Sequence, residues 1–156
     1  MEPLEETNED LMYWYLTGIA DVVEEIRPLG YNLDKRCTWD SLDELERYVV
    51  ETKVTHRKPE DDEEIKRFVF CYIYLGFAVK RKYKTRWVLV DDGTADAGMF
   101  ALDNLPNEED KSLYFVPRGK IVALILGRLK ISLKESVRTR MEDEYVSSIA
   151  GLRPEV

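Results

Sequence analysis

Apolar positions recur along this chain mostly with helical spacing, and one stretch sets the pattern for the rest. Between Ile65 and Val79 the seam positions 65, 68/69, 72, 75/76 and 79 are almost all apolar, and so are most residues between them. A 3.6-residue period with apolar residues on every side predicts a helix contacted on more than one face. The same residue types suit a pair of buried strands. Length and flanks favour a helix over 62–80, because Asp61, Asp62, Glu63 and Glu64 complement its N-terminus and Lys80, Arg81 and Lys82 its C-terminus. Gly76 sits inside it at a propensity cost of about 1 kcal/mol relative to Ala. Close approach of a neighbouring element would account for a glycine there.

After the basic hinge, Trp87–Val90 reads as a strand closed by Asp91, Asp92 and Gly93. Gly98–Leu102 and Leu113–Val116 are the second and third strands, and nothing helical lies between them, so residues 87–116 are predicted to form an antiparallel meander. Ahead of the central helix, residues 7–27 predict a first helix opened by Thr7 and Asp10 and stopped by Pro28 and Gly30. Its seam is Leu11, Tyr15, Ile19 (or Gly18), Val22 and Ile26, widened by Met12, Leu16 and Val23, with Trp14 near the edge. Residues 41–54 predict a second helix with a Ser41–Glu44 capping box, a Leu42, Leu45, Val49 seam and Trp39 as a hydrophobic staple. Pro117 opens another helix, with Gly127 inside it. Ser132 and Glu135 then form a second capping box for a last helix whose ladder is Leu133, Val137, Met141, Tyr145 and Ile149, so that residues 117–150 hold two helices. The expected fold is α+β, one domain over residues 1–156, with roughly four or five helices packed on a small antiparallel sheet of about three strands.

Composition agrees with a folded domain: 44% of the residues are apolar and 11% aromatic. No apolar run is long enough to cross a bilayer, and the acidic MEPLEETNED start does not read as a secretory signal. The two cysteines, Cys37 and Cys71, make no disulfide framework, which points to a reducing, cytoplasmic compartment. Charge changes the picture more. The net charge of −8 is segregated: residues 1–30 carry eight acids and one base, 63–90 two acids and seven bases, and 91–112 seven acids and one base. Any single charged run is most simply a solvated face. Together they predict a molecule with an acidic side, which repels nucleic acid and steers toward basic partners.

Catalytic readings find little support. No phosphate loop or dinucleotide fingerprint is present, and the single histidine, His56, excludes the two-histidine zinc motif. A cysteine nucleophile would need His56 as its base across a helix. Carboxylate pairs such as Asp91 with Asp92, Asp61 with Asp62 and Asp40 with Asp43 are surface features in a chain this acidic. The sequence therefore reads as non-enzymatic, with no cofactor and no metal. The candidate partner-binding residues are Asp91, Asp92, Asp96, Asp103, Glu108, Glu109 and Asp110, together with the acids of residues 2–25. A second reading uses KRKYKTRW, residues 80–87, as a nucleic-acid contact that interleaves Tyr83 and Trp87 with cations, assisted by Arg118, Lys120, Arg128, Lys130, Lys134, Arg138 and Arg140. Flanking acids oppose it.

Several short segments carry a resemblance. Leu33-Asp34 and Ser41-Leu42-Asp43-Glu44-Leu45 precede Tyr74-Leu75-Gly76 at the end of an apolar helix. Trp87 then opens a strand with Asp91 behind it, and Phe115-Val116-Pro117, Val122 and Ser132-Leu133 follow. This layout, spanning most of residues 11–135, resembles a group of small bacterial proteins similar to the immunity proteins of toxin systems. Phe77 stands where such helices often carry Glu after the glycine. The resemblance implies a cytoplasmic protein that neutralises a toxin by protein–protein contact, and it implies no catalytic residue.

Overall fold

The computed structural model describes residues 4–57, 61–83, 85–90, 98–104 and 114–145. The fold is α+β, as the pattern predicts, and it is assembled around the central helix α5 (Asp62–Lys82). The N-cap of α5 is Asp61, whose carboxylate accepts the Glu63 N–H at 2.9 Å. From Phe68 to Val79 nearly every side chain is buried, because the first helix, the helices at Leu42–Glu51 and Pro117–Ile125, and the sheet cover α5 from different sides. Gly76 is the point of closest approach. A Cβ built there would overlap the edge of the Trp87 ring at Cη2, so the glycine lets the first strand lie against the helix.

The first helix departs from its predicted seam. It runs as α1 (Leu4–Thr7), α2 (Glu9–Tyr13), a π-helical turn over Trp14–Gly18 and α3 (Ile19–Ile26), closed by a 3₁₀ turn at Arg27–Leu29. The cap of α2 is Asn8 rather than Thr7: its side chain accepts the N–H groups of Asp10 and Leu11. Leu11 and Trp14 form one apolar half-seam, and Ile19, Val22, Val23 and Ile26 another, about one residue out of phase in an ideal helix. The π-turn absorbs that offset and brings both halves onto the core. Trp14 thereby becomes buried, while Tyr15 and Leu16, predicted to line and widen the seam, stand 64% and 66% exposed.

The second helix is shorter than predicted: α4 covers Leu42–Glu51, after a 3₁₀ turn at Trp39–Ser41. The expected capping box is not made. Ser41 donates instead toward Thr38 O, and Glu44 pairs with Arg47 at 2.7 Å. Trp39 does not staple the cap; it meets Tyr83 edge-on at 5.7 Å and lies under the Lys82 ammonium. Arg67 of α5 ties the two helices, donating to Tyr48 Oη at 3.2 Å and to the Thr52 carbonyl at 3.0 Å, just past the end of α4.

The sheet is an antiparallel meander in the order β1 (Thr85–Leu89), β2 (Phe100–Asn104), β3 (Tyr114–Phe115). Its register pairs Trp87 with Leu102, and Leu102 with Phe115, so these three buried residues face α5 across one row. The next helix, α6 (Pro117–Ile125), ends before Gly127, which was predicted to lie inside it. Gly127 is left-handed (φ 69°), and Arg128 N–H returns to Ala123 O, an end that glycine favours. The last described helix is α7 (Leu133–Arg138), followed by a π-helical segment at Thr139–Tyr145. Ser132 Oγ accepts Glu135 N–H at 3.1 Å, but the Glu135 carboxylate turns to Arg138 rather than back to the cap. Glu46 of α4 supplies the other acceptor, taking Leu133 N–H at 2.6 Å. Leu133, Val137 and Met141 are buried; Ile149 and Gly151 lie outside the described residues.

Candidate binding surface

Of the seven predicted partner-binding acids, Asp103 alone falls within the described residues; Asp91, Asp92, Asp96, Glu108, Glu109 and Asp110 lie outside them. Asp103 is not a free acid. It sits on β2 opposite Arg86 of β1 and accepts two guanidinium bonds, at 3.0 and 3.3 Å. Such a cross-strand pair stabilises the sheet and leaves little charge for a partner.

The acids elsewhere divide into two sets. Glu24 pairs with Arg27 and Lys35, Asp34 with Arg36, Glu44 and Glu51 with Arg47, and Glu135 and Glu142 with Arg138. The hydrogen bond from Lys35 holds the Glu24 carboxyl below its ordinary range, and the Arg36 guanidinium does the same for Asp34. By contrast, Glu9, Asp10, Asp21 and Glu25 are exposed on the first helix and make no ion pair among the described residues.

Those unpaired acids share the helix with its turned-out apolar residues. Met12, Tyr13, Tyr15 and Leu16 are all exposed, forming an apolar strip on the outer half of α2 and the π-turn. Tyr13 rests edge-on against Trp14 at 5.5 Å, and Tyr15 against Phe77 at 5.7 Å, so both rings are braced from below. This surface was not legible from the periodicity, which placed Tyr15 in the seam. The available signal was the phase break between Trp14 and Ile19.

The basic stretch is taken apart by the fold. Trp87 is a core residue between Phe77 and Phe100, Tyr83 donates to Glu142 at 2.9 Å, and Arg86 is spent on Asp103. Of its assisting bases, Arg118 lies over Phe68, Lys120 donates to Ser136, Lys134 lies between Asp40 and Asp43, and Arg140 donates to the Tyr114 carbonyl. Lys80 and Arg81, at the start of the stretch, instead line a cleft with Lys35 and Arg36.

Neither thiol is poised for chemistry: Cys37 and Cys71 are buried, and burial pushes both well above the ordinary thiol range. His56 lines a shallow hollow of about 640 Å³ between the ends of α4 and α6, among Val50, Val54, Leu126 and Leu129. Among the described residues no group of His, Cys, Asp or Glu could hold a metal ion, and no helix is long and apolar enough to cross a membrane. No family model matches this chain, and neither do any curated protein or solved structure.

Proposed function

We propose that this chain is a non-enzymatic binding protein, most concretely a cytoplasmic immunity protein that occludes a bacterial toxin domain of basic surface. One observation supports it above the others: the π-turn turns Met12, Tyr13, Tyr15 and Leu16 out of the core, beside the unpaired carboxylates of Glu9, Asp10 and Asp21. An apolar centre with aromatic and methionine anchors, rimmed by charge of one sign, has the composition of a protein interface. The chain's net charge of −8 favours encounter with a cationic partner.

The test is co-expression with a toxin domain encoded beside this chain, scored by growth. The unaltered chain should restore growth, and the pair Tyr15→Asp with Leu16→Asp should lose that protection while melting like the parent. With purified partners, Asp10→Lys should slow association, and the parent's association rate should fall about tenfold between about 50 and 300 mM salt. Full protection by the double variant, or an association rate indifferent to salt, would sink the proposal.

A further inference from the structure

A cleft of about 450 Å³ opens between the π-turn of the first helix, the turn at Asp34–Cys37 and the C-terminal end of α5. Its apolar wall is Tyr15, Ile19 and Phe77, and its polar lining is Lys35, Arg36, Lys80 and Arg81. Four cations thus meet in one concavity of a chain whose net charge is −8. Glu24 and Asp34 pair with two of them, Lys35 and Arg36. Arg81 is exposed and makes no ion pair among the described residues.

Helix-dipole compensation accounts for bases in the last turn of α5. It does not account for Lys35 and Arg36, which arrive from a separate segment that is firmly held. Cys37 N–H donates to Asp34 O at 3.0 Å, and Arg36 N–H to Asp34 Oδ1 at 2.8 Å. The Tyr74 hydroxyl, inside the core, accepts Asp34 N–H at 3.2 Å and donates to Asp34 O at 2.8 Å. Cys37 is held at φ 52°, a left-handed conformation that costs a residue with a side chain about 1–2 kcal/mol. The turn is therefore built and locked, and what it presents beside the end of α5 is Lys35 and Arg36.

A guanidinium matches phosphate oxygens better than an ammonium, because its planar fork donates in pairs. Arg81 makes no ion pair among the described residues, while Arg36 Nε and Nη2 are held by Asp34 at 3.2 and 3.0 Å and leave Nη1 to donate. The exposed Tyr15 ring, braced on Phe77, offers a flat apolar surface within the same cleft. The volume lies within the range of about 300–1,000 Å³ usual for small-molecule sites. We infer that this cleft binds a small phosphorylated aromatic compound of the nucleotide class, its phosphates at Arg36 and Arg81 and its ring against Tyr15. The cleft shares Tyr15 with the partner face, so its test is read at Arg36 and Arg81, which lie outside that face.

Calorimetric titration of the full chain at low salt, with ADP, inorganic pyrophosphate and adenosine as separate probes, tests it. ADP should bind saturably with one site, pyrophosphate about tenfold more weakly, and adenosine not measurably up to about 1 mM. Arg81→Glu should weaken ADP at least about tenfold with an unchanged melting curve, whereas Lys53→Glu, in the hollow at the other end of α4, should leave it unchanged. Should the charge reversal lower the melting temperature, Arg81→Gln and Arg36→Gln replace it, each expected to weaken ADP severalfold. The inference is overturned by no saturable ADP binding, by charge-removed variants that bind as the parent does, by adenosine matching ADP, or by pyrophosphate matching ADP, which would leave the Tyr15 wall without a role.

Discussion

The central helix and the first helix are both rich in apolar and aromatic residues, yet they dispose of them in opposite ways. Around α5 the sheet, α6, α4 and the first helix leave no free side, so Phe70, Cys71, Ile73, Tyr74 and Leu75 all vanish from the surface. The first helix buries one stripe only, and its π-turn sends Met12, Tyr13, Tyr15 and Leu16 outward. An apolar residue is buried when neighbours are there to cover it, and hydropathy alone does not count neighbours.

The comparison can be broken at a glycine in each helix, because both face a tryptophan. At Gly76 a Cβ would overlap the edge of the buried Trp87 ring at Cη2, and that ring is packed on Phe77 and Phe100. At Gly18 it would stand 2.6 Å from Cε3 of the buried Trp14 and 2.9 Å from Tyr13 Cε1; Tyr13 is at the surface and can give way, while Trp14 must shift. Gly76→Ala should therefore cost about 2–3 kcal/mol of unfolding free energy by overpacking, more than offsetting its gain in helix propensity. Gly18→Ala should cost less, about 1 kcal/mol, since the overlap is smaller, part of it is relieved at exposed Tyr13, and the propensity gain offsets some of the shift forced on Trp14. Urea melts of the two variants decide it: equal losses would mean that the Trp87 contact is no tighter than the Trp14 one.

What the sequence revealed of this contrast follows the same division. The burial of α5, its charged ends and the reason for Gly76 were legible, because a helix apolar on every side has one outcome. The meander was legible too, since the spacing between strands leaves no room for crossovers. The first helix was misread where two apolar half-seams fall out of phase, and a regular 3.6-residue template placed Tyr15 where Trp14 goes. Caps were misread for a related reason. Ser41 already lies in the helical backbone of the 3₁₀ turn before α4, and α7, capped by Ser132 as predicted, takes its second acceptor from Glu46, 87 residues away in the chain. Local motifs cannot report a partner brought in by tertiary packing. The acidic site was legible only as charge: whether Asp103 is free or paired depends on the β1–β2 register, which places Arg86 opposite.

Glu46 sharpens the comparison from the core side. Its carboxylate accepts Leu133 N–H at 2.6 Å, a charge-assisted bond that joins α4 to the start of α7. Glu46→Ala should cost about 2 kcal/mol, with Glu46→Gln recovering part of it through a neutral acceptor. Amide exchange at Leu133 should quicken in the alanine variant. Unchanged protection there would show that α7 is held by its Leu133 and Val137 packing alone.

Acid addresses the periphery instead. Lys35 and Arg27 lower Glu24, Arg36 lowers Asp34, Arg47 lowers Glu44 and Arg138 lowers Glu135, each from an ordinary value of 4.5 or, for Asp34, 3.8. With folded values below unfolded ones, the unfolded chain takes up protons first as pH falls, so this contribution is complete above about pH 5 and drains away below it. Urea midpoints should be flat from neutrality to about pH 5 and decline toward pH 3. Because Glu24 and Asp34 tether the turn beside the first helix, exchange protection at Arg36 and Cys37 should fall before that in α5. Simultaneous loss in both would contradict a peripheral origin.

The smallest effect carries the most functional weight. Leu11 and Leu16 lie five residues apart on the same helix, one fully buried and the other mostly exposed. Leu11→Ala should cost about 2–5 kcal/mol, as deletion of a core leucine does. Leu16→Ser should stay within about 0.5 kcal/mol of the parent, because that side chain has little contact to lose. A regular helix would give another ranking, with Tyr15 and Leu16 at or beside the seam and Trp14 at its margin. A loss of several kcal/mol at Leu16 would therefore remove both the π-turn and the apolar strip on which partner binding rests. Neutrality there, together with failure to neutralise a toxin, would mark Leu16 as a residue kept for a contact outside its own chain.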